Sequence, residues 1–292
     1  MVTDAFSNCH PAVNFIFFAG AIGCGMLLQH PVYLLAGVLC GGVYYWLLAG
    51  RKALRAMGLL LPFALLLALV NPLFNVYGAT PLLYIAGRPY TAEALLYGGV
   101  MAAVFYAMMH WFGCYNAVMT GDKFTSLFGN LIPSISLILV MVFRLVPGLL
   151  RKTRQISGAR DCIGKGTQEA DGPREKLTQG MTVLSAMTSW ALEGSLVTGD
   201  SMRSRGYGTG KHQSFMLYRM TARDWGLLAA ELLLLALVAA AAALGQAEAV
   251  FTPAVSAAPL SWGAAAYTLY LLIPTVLHIK EAVQWHISRS GI

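Results

Sequence analysis

The 292-residue chain has few charged residues and few cysteines, and each shortage excludes some classes of protein. Charged residues make up 11% of the chain and hydrophobic residues 57%. A soluble domain carries about 25% charged residues, so this chain has too few to cover a surface in water. Its five cysteines lack CxxC spacing: Cys9, Cys24, Cys40, Cys114 and Cys162. That scatter favours small buried side chains over a metal or redox centre.

Motifs for nucleotide hydrolysis and metal catalysis are also missing. GARDCIGKG has one residue too many between its glycines for G-x-x-x-x-G-K, and Gly166 stands where Ser or Thr would hold magnesium. GYGTGKH has Arg205 in place of the first glycine and His212 in place of the Ser or Thr. Neither follows a predicted strand, and the six histidines lack HExxH spacing. We therefore expect a non-enzymatic chain without a P-loop, a metal or a cofactor of its own.

Long apolar runs dominate what is present. They lie at about residues 12–28, 32–49, 57–74, 93–119, 131–150, 181–198, 223–245 and 260–279. A helix of about 20 apolar residues crosses a bilayer core, so the runs predict an all-α polytopic membrane protein. No basic segment precedes the first run and no small-residue cleavage pattern follows it, so we expect no removable signal peptide.

The positions of the cations predict the orientation. The net charge is +7, and in a chain this apolar we attribute the excess to the positive-inside rule rather than to nucleic acid. If the runs at 131–150 and 181–198 do not both cross, every Lys and Arg except Arg88 lies in the cytoplasm or near that face. We therefore expect about six transmembrane helices, both termini in the cytoplasm of a multi-pass plasma-membrane protein, and two long cytoplasmic or interfacial helices.

The expected domain organisation follows from these crossings. Residues 1–119 hold four transmembrane helices, 120–222 form a cytoplasmic region, and 223–292 return to the membrane. Residues 75–90 alternate and contain Gly and Pro, which predicts a hairpin or loop. Gly37 and Gly41 form a GxxxG pair, which indicates close helix packing.

Two charged residues within apolar runs are expected to face protein rather than lipid. They are Arg144 and Glu231, and each is a candidate partner for the other.

The central region contains two long helices that end near an arginine. The first begins near residue 131, is apolar and then basic, and runs to GARD (158–161). The second is predicted from about Glu175 to Arg205, with Gly206 as its stop. Residues spaced by four and three predict one packing seam on it: Val183, Met187, Trp190, Gly194, Val197 and Ser201.

Each arginine alone has an ordinary explanation, because a cation in the last turn complements the helix dipole. Here, however, two such arginines each end a helix whose earlier residues are apolar. This arrangement favours the interpretation that both are fixed cations presented to a soluble partner. Guanidinium suits this task because it keeps its charge and offers five donors.

Several segments together resemble the transmembrane T component of energy-coupling factor (ECF) transporters, and the similarity covers most of the chain. His-Pro pairs at 10–11 and 30–31 are similar to the family's N-terminal region, and GRPYTAEALLYGG to the segment before its long fourth helix. FRLVPGLLRKTRQISGARD and DSMRSRGYG resemble its two coupling helices. ARDWGLL resembles the start of the helix that returns to the membrane.

The resemblance implies which residues dock on two cytoplasmic ATPases, which would hold the ATP and magnesium. They are two arginine-centred tripeptides: Ala159, Arg160 and Asp161, and Ser204, Arg205 and Gly206. Asp161 departs from the family pattern, which has glycine there. The implied function is a non-catalytic coupling subunit that passes ATP-driven motion to a small membrane-embedded S component, for uptake of a vitamin or a transition-metal ion.

The resemblance also implies an interface with the S component. Apolar side chains that repack easily suit a partner that is held and released: Met141, Met181, Met187 and Trp190. Simple core packing is the alternative for the methionines. For the chain as a whole, a self-sufficient secondary transporter is the alternative function, although no inverted repeat is apparent. A membrane-embedded enzyme lacks a supporting constellation.

Overall fold

The computed structural model describes residues 4–75, 80–85, 88–128, 133–166, 172–207, 209, 218–247, 249–250, 256–257 and 261–290. Helices in this part of the chain are α1 (Pro11–Leu27), α2 (Pro31–Ala49), α3 (Arg51–Phe74), α4 (Ala92–Val118), α5 (Gly121–Phe128), α6 (Pro133–Asp161), α7 (Pro173–Ser204), α8 (Ala222–Ala243) and α9 (Trp262–Ser290). Strands are β1 (Pro81–Ile85), β2 (Arg88–Thr91), β3 (Ala249–Val250) and β4 (Ser256–Ala257). The chain forms an all-α polytopic membrane protein, as predicted.

The chain divides into two compact units. One comprises Met1–Thr120 and Tyr218–Ile292, and the other comprises Gly121–Leu217. Five helices of the first unit are long and apolar enough to cross a membrane: α2, α3, α4, α8 and residues Trp262–Trp285 of α9. Helix α1 is also apolar, with 17 residues, at the short end of the spanning range. Five of the six predicted crossings therefore have helices of spanning length and composition, and α1 corresponds to the sixth.

Helices of the first unit begin at residues whose side chains accept backbone hydrogen bonds. His10 and His30 each precede a proline, and each Nδ1 atom accepts from the N–H two residues on, at 3.2 and 3.3 Å. Proline at the first helical position has no N–H to satisfy, so each His-Pro pair specifies a helix start. Thr221 and Asp224 cap α8 reciprocally.

The core of the first unit lies where α1 packs against α2, α4, α8 and α9. Trp111 of α4 is fully buried, and its Nε1 donates to the carbonyl of Gly37 at 3.2 Å. A Cβ atom on Gly41 would stand 3.0 Å from the same Nε1. Gly41 therefore lets α4 approach α2 closely, as GxxxG predicts, whereas a Cβ atom on Gly37 would meet Ala107 Cβ only at 3.8 Å, an ordinary contact.

A hairpin precedes α4. Strands β1 and β2 pair antiparallel, with Pro81 opposite Thr91 and Ile85 opposite Arg88. The hairpin predicted within residues 75–90 is confirmed, and positions 76–79 and 86–87 of that prediction lie outside the described residues.

The second unit contains α6 and α7, which pack as an antiparallel pair. The Thr153 hydroxyl of α6 donates to the Met187 sulfur of α7 at 2.9 Å, and the Lys152 ammonium lies 5.6 Å from the centre of the Trp190 ring. Farther along α6, the Lys165 carbonyl lies 2.7 Å from the Gln179 side-chain amide. Higher numbers on one helix thus meet lower numbers on the other.

The seam of α7 is shorter than predicted. Gln179 and Val183 are buried and Met187 and Ala191 half-buried, whereas residues 192–200 are all exposed. The second half of the predicted seam (Gly194, Val197) is therefore wrong. We attribute the separation of the helices to Pro147 of α6, because a proline inside a helix removes a backbone bond and bends it.

Candidate functional site

The end of α7 holds Arg205 in a fixed backbone geometry. Gly206 has a φ of 76°, its N–H donates to the Arg203 carbonyl at 2.9 Å, and the N–H of Tyr207 donates to Met202 at 3.0 Å. These two bonds form a Schellman motif, which satisfies carbonyls at the helix end. Arg205 is the last residue before the turn, as predicted.

The end of α6 uses the same motif but places its arginine differently. Gly164 has a φ of 67°, its N–H donates to Asp161 at 3.1 Å, and the Lys165 N–H donates to Arg160 at 3.0 Å. The left-handed glycine therefore comes four residues after Arg160, whereas Gly206 directly follows Arg205. Arg160 lies one turn inside its helix end, so the two arginines are not equivalent in local geometry.

The two tripeptides also differ in exposure. Ser204, Arg205 and Gly206 are all exposed. Ala159 and Asp161 are exposed, but Arg160 is half-buried, and its Nε atom is inaccessible without a hydrogen-bond partner among the described residues. Arg205 is the more accessible cation for a soluble partner.

The arginines lie at opposite ends of the helix pair. Thr153 contacts Met187, so Arg160, farther along α6, is level with the first third of antiparallel α7. At a rise of about 1.5 Å per residue, Arg205 lies about 35 Å farther along α7. The structure does not bring the two arginines together. The sequence alone could not reveal this separation, because it depends on how the two helices pack.

The residues predicted for a second interface divide into two sets. Met181 is 58% exposed and Trp190 36% exposed, so both present surface. Met187 accepts the Thr153 hydrogen bond within the α6–α7 seam, as the core-packing alternative describes. Met141 is half-buried on α6.

Positive charge surrounds the α6 end of the pair. Arg151, Arg154 and Lys165 are exposed, and Lys152 is held over Trp190. Asp161 is the acidic residue of this helix end within the described segment 133–166, and its carboxylate lies against Gly166. Cys162 is exposed beside it, contrary to the expectation that the cysteines are buried. Such an end suits an acidic or carbonyl-rich groove on a partner.

A polar network in the first unit has no counterpart in the sequence predictions. Asp4 is fully buried, accepts a 2.6 Å hydrogen bond from the Tyr44 hydroxyl and pairs with His278 Nδ1 at 2.8 Å. No local signal identifies this network, because its three members lie on separate elements.

The charge within α8 is buried as expected. Glu231 is 0% exposed, and both of its carboxylate oxygens lack a hydrogen-bond partner in the described part of the chain. The suggested pair with Arg144 would join the two units and stays a prediction. Among the described residues, no group of three or more His, Cys, Asp or Glu side chains is placed to hold a metal.

Comparison of the chain with models of known protein families gives no match, and comparison with curated proteins gives none. Similarity therefore assigns no family, and the function has to be argued from the residues and their geometry.

Proposed function

We propose that the chain is the non-catalytic transmembrane coupling subunit of an importer of the ECF type. It lies in the plasma membrane with both termini in the cytoplasm. Two cytoplasmic ATPases, which bind ATP and magnesium, move the α6–α7 pair. The pair passes this motion to a small membrane-embedded S component that takes up a vitamin or a transition-metal ion.

The observation that carries the proposal is the placement of one arginine at each end of an antiparallel pair. A separation of about 35 Å along α7 is too wide for one binding groove and suits one site on each of two protein chains. Each guanidinium keeps its charge and offers several donors to carboxylates or carbonyls in a groove. A single pair of helices can thus contact both ATPases.

The local geometry supports the transmission of motion. Both helices end in a Schellman motif, so the backbone that carries each arginine is hydrogen-bonded up to its last turn. A displacement at Arg205 is therefore passed along α7 rather than absorbed by a frayed end. The half-buried Arg160 makes the α6 end the weaker of the two docking points.

The exposed apolar surface of α7 supports a contact with the S component. Three side chains on its second half are exposed by more than 60%: Leu192 (62%), Leu196 (72%) and Val197 (65%). With Met181 and Trp190 they form a candidate interface, from which we omit Met187 because it packs inside the pair. Several exposed large apolar side chains on one helix are typical of a surface that binds a partner.

Copurification tests the proposal. When the full chain is isolated from its native host in mild detergent, two ATPase chains and one small membrane protein are expected to copurify with it. Arg205→Glu should reduce the recovery of ATPase by at least about 10-fold, because it places like charge in a groove built for a cation. Arg174→Glu, at an exposed arginine near the start of α7, is the matched control and should retain both ATPases.

Two results would overturn the proposal. One is isolation of the chain without any ATPase, combined with solute uptake by the chain alone in liposomes, which identifies a self-sufficient secondary transporter. The other is full ATPase recovery and transport with Arg205→Glu.

A further inference from the structure

We propose that Asn14, Glu231 and Thr275 form a buried site for a sodium ion between α1, α8 and α9. The site lies wholly within the first unit, and the inference does not depend on the coupling function. Its ligand class is a small monovalent cation held by side-chain and backbone oxygens.

The three side chains are buried and unsatisfied. Asn14 and Glu231 are 0% exposed and Thr275 is 4% exposed. The amide oxygen and nitrogen of Asn14, both oxygens of Glu231 and the Thr275 hydroxyl lack hydrogen-bond partners among the described residues. A buried polar group without a partner is destabilising, and native proteins rarely leave several in neighbouring helices. The oxygens of these three side chains can share a cation as their common partner, whereas the Asn14 amide nitrogen is a donor and does not bind it.

Contacts between α1 and α9 bring Asn14 and Thr275 to one level. The Tyr270 hydroxyl of α9 donates to the Phe17 carbonyl of α1 at 2.8 Å, and His278 contacts Asp4, which precedes α1. The two helices therefore run antiparallel. Thr275, between these contacts on α9, lies level with Asn14, which is between them on α1.

Contacts between α1 and α8 place Glu231 close to the same level. The Asp224 carboxylate at the start of α8 accepts from the His10 N–H at 3.2 Å, and a Cβ atom on Gly20 would stand 2.7 Å from Leu235 Cδ1. These helices run parallel, so Glu231 lies within about one turn of Asn14. That level is about 13 Å along α8 from its start.

The Glu231 carboxylate is close enough to act electrostatically on the Cys9 thiol, just before α1, and on the Tyr270 hydroxyl of α9.

Thr275 departs from the behaviour of the other helical threonines. Seven of them donate to the carbonyl four residues earlier: Thr125, Thr153, Thr178, Thr182, Thr188, Thr198 and Thr268. The Thr275 hydroxyl makes no such bond, so its oxygen is free to bind an ion.

Pro274, the residue before Thr275, leaves a backbone carbonyl of α9 without its usual donor. Pro274 lies inside α9 and has no N–H, so it cannot donate to the carbonyl of Tyr270 one turn earlier. A carbonyl freed by proline inside a membrane helix needs another partner, and the proposed ion is a candidate for that partner.

The charge of the site fits a monovalent cation. Glu231 forms no ion pair with a described Lys, Arg or His side chain, and the other ligands are neutral. An uncompensated carboxylate is costly inside a membrane protein, and one sodium ion neutralises it. Calcium sites ordinarily gather several carboxylates among six to eight oxygens, so a single carboxylate favours the monovalent ion. By binding oxygens from three helices, the ion holds α1, α8 and α9 together.

Thermal unfolding of the purified full chain in detergent tests the site, with NaCl replaced by choline chloride at constant ionic strength. The expected result is a melting temperature that rises with sodium and saturates, because a ligand that binds only the folded state stabilises it by mass action. Isothermal titration of NaCl into the wild-type chain measures binding directly and does not depend on any variant.

Matched variants assign the effect to these residues. Thr275→Val keeps the shape but removes the oxygen, and should raise the half-saturating sodium concentration by at least about 10-fold; Thr275→Ser keeps the oxygen and should bind as the wild type does. Glu231→Gln should abolish the response. Glu193→Gln, at an exposed carboxylate of α7, should retain it.

Three results would overturn the proposal. The first is equal melting temperatures in sodium and choline with no binding heat. The second is a sodium response that persists in Glu231→Gln and Thr275→Val. The third is a stability that responds to pH but not to sodium and is lost in Glu231→Gln, since a proton rather than sodium would then neutralise the carboxylate.

Discussion

At the scale of single residues, buried polar side chains of the first unit depend on partners far away in sequence. The Asp4 carboxylate accepts a 2.6 Å hydrogen bond from the Tyr44 hydroxyl and lies 2.8 Å from His278 Nδ1. A buried charge that is paired and hydrogen-bonded avoids most of its desolvation penalty. These contacts tie the segment before α1 to α2 and α9.

Cysteine reactivity follows from burial in the same segment. Burial raises the pKa of the Cys9 thiol to about 11, and its Sγ atom lies 3.4 Å from the Ala5 carbonyl. The thiolate is the reactive form, and at pH 8 only about 1 in 1,000 Cys9 thiols is ionised, so Cys9 should be labelled slowly and faster as the pH rises toward 11. Cys162 is exposed and should take up maleimide first, measured by peptide mass spectrometry.

The control for the labelling is Cys162→Ser, which should remove the fast-reacting thiol. Equal labelling rates of Cys9 and Cys162 at pH 8 in the folded protein would contradict the prediction.

At the scale of elements, the contact between α3 and α4 depends on one glycine. A Cβ atom at Gly98 would stand 2.5 Å from the Ala68 carbonyl oxygen and 2.9 Å from Asn71 Cβ, whereas one at Gly99 would meet nothing within 4 Å. Gly98→Ala should therefore force the helices apart and destabilise the protein by about 1–3 kcal/mol. Gly99→Ala is the matched control, and thermal unfolding in detergent should show no loss. A Gly98→Ala protein as stable as the wild type would contradict this.

The stop of α7 depends on a left-handed backbone. Gly206 has a φ of 76°, where an alanine costs about 1 kcal/mol relative to glycine. Gly206→Ala should open the last turn, seen as faster hydrogen exchange of the amides at 205–207.

The matched control for the helix stop is Gly199→Ala. Gly199 lies in the same helix with open space around its Cα, and alanine there should stabilise the helix by about 0.5–1 kcal/mol. Unchanged exchange in Gly206→Ala would show that the stop does not need glycine.

The sequence predicts most elements well because their signals are local. Apolar runs, the His-Pro pairs and the alternation before α4 each depend on a few adjacent residues, and the structure has helices and a hairpin at these places. The length of the α7 seam depends instead on how far α6 packs along α7. The position of the α6 stop likewise depends on which glycine adopts the left-handed conformation, and Gly164 does so rather than a residue next to Arg160.

At the scale of the whole molecule, the distribution of cations predicts an orientation that labelling can test. Leu83 of the hairpin is 64% exposed and lies opposite Tyr90, in the same hairpin as Arg88, the cation expected outside the cell. In a Cys162→Ser background, Leu83→Cys should react with a membrane-impermeant maleimide in intact cells. Cys162 of the otherwise unchanged chain should react only after permeabilisation, and its labelling in intact cells would contradict the orientation.

Only part of the candidate site is visible in the sequence. Arg205 and Gly206 are adjacent, so the sequence alone predicts a helix that ends with a cation. The distance between Arg160 and Arg205 cannot be predicted from the sequence, because it depends on the antiparallel packing of α6 on α7. The buried oxygens of Asn14, Glu231 and Thr275 also come from three helices, and their common level is set by contacts such as Tyr270 to Phe17.

The antiparallel arrangement of α6 and α7 has a mechanical consequence. Forces that draw Arg160 and Arg205 toward one another load the seam between the helices in shear rather than in compression. That seam is short, running from Gln179 to Ala191, and its helix-to-helix polar contact among the described residues is the bond from the Thr153 hydroxyl to the Met187 sulfur. Sliding along the seam breaks fewer hydrogen bonds than bending either helix, so under such a load the pair is expected to change its length before either helix bends.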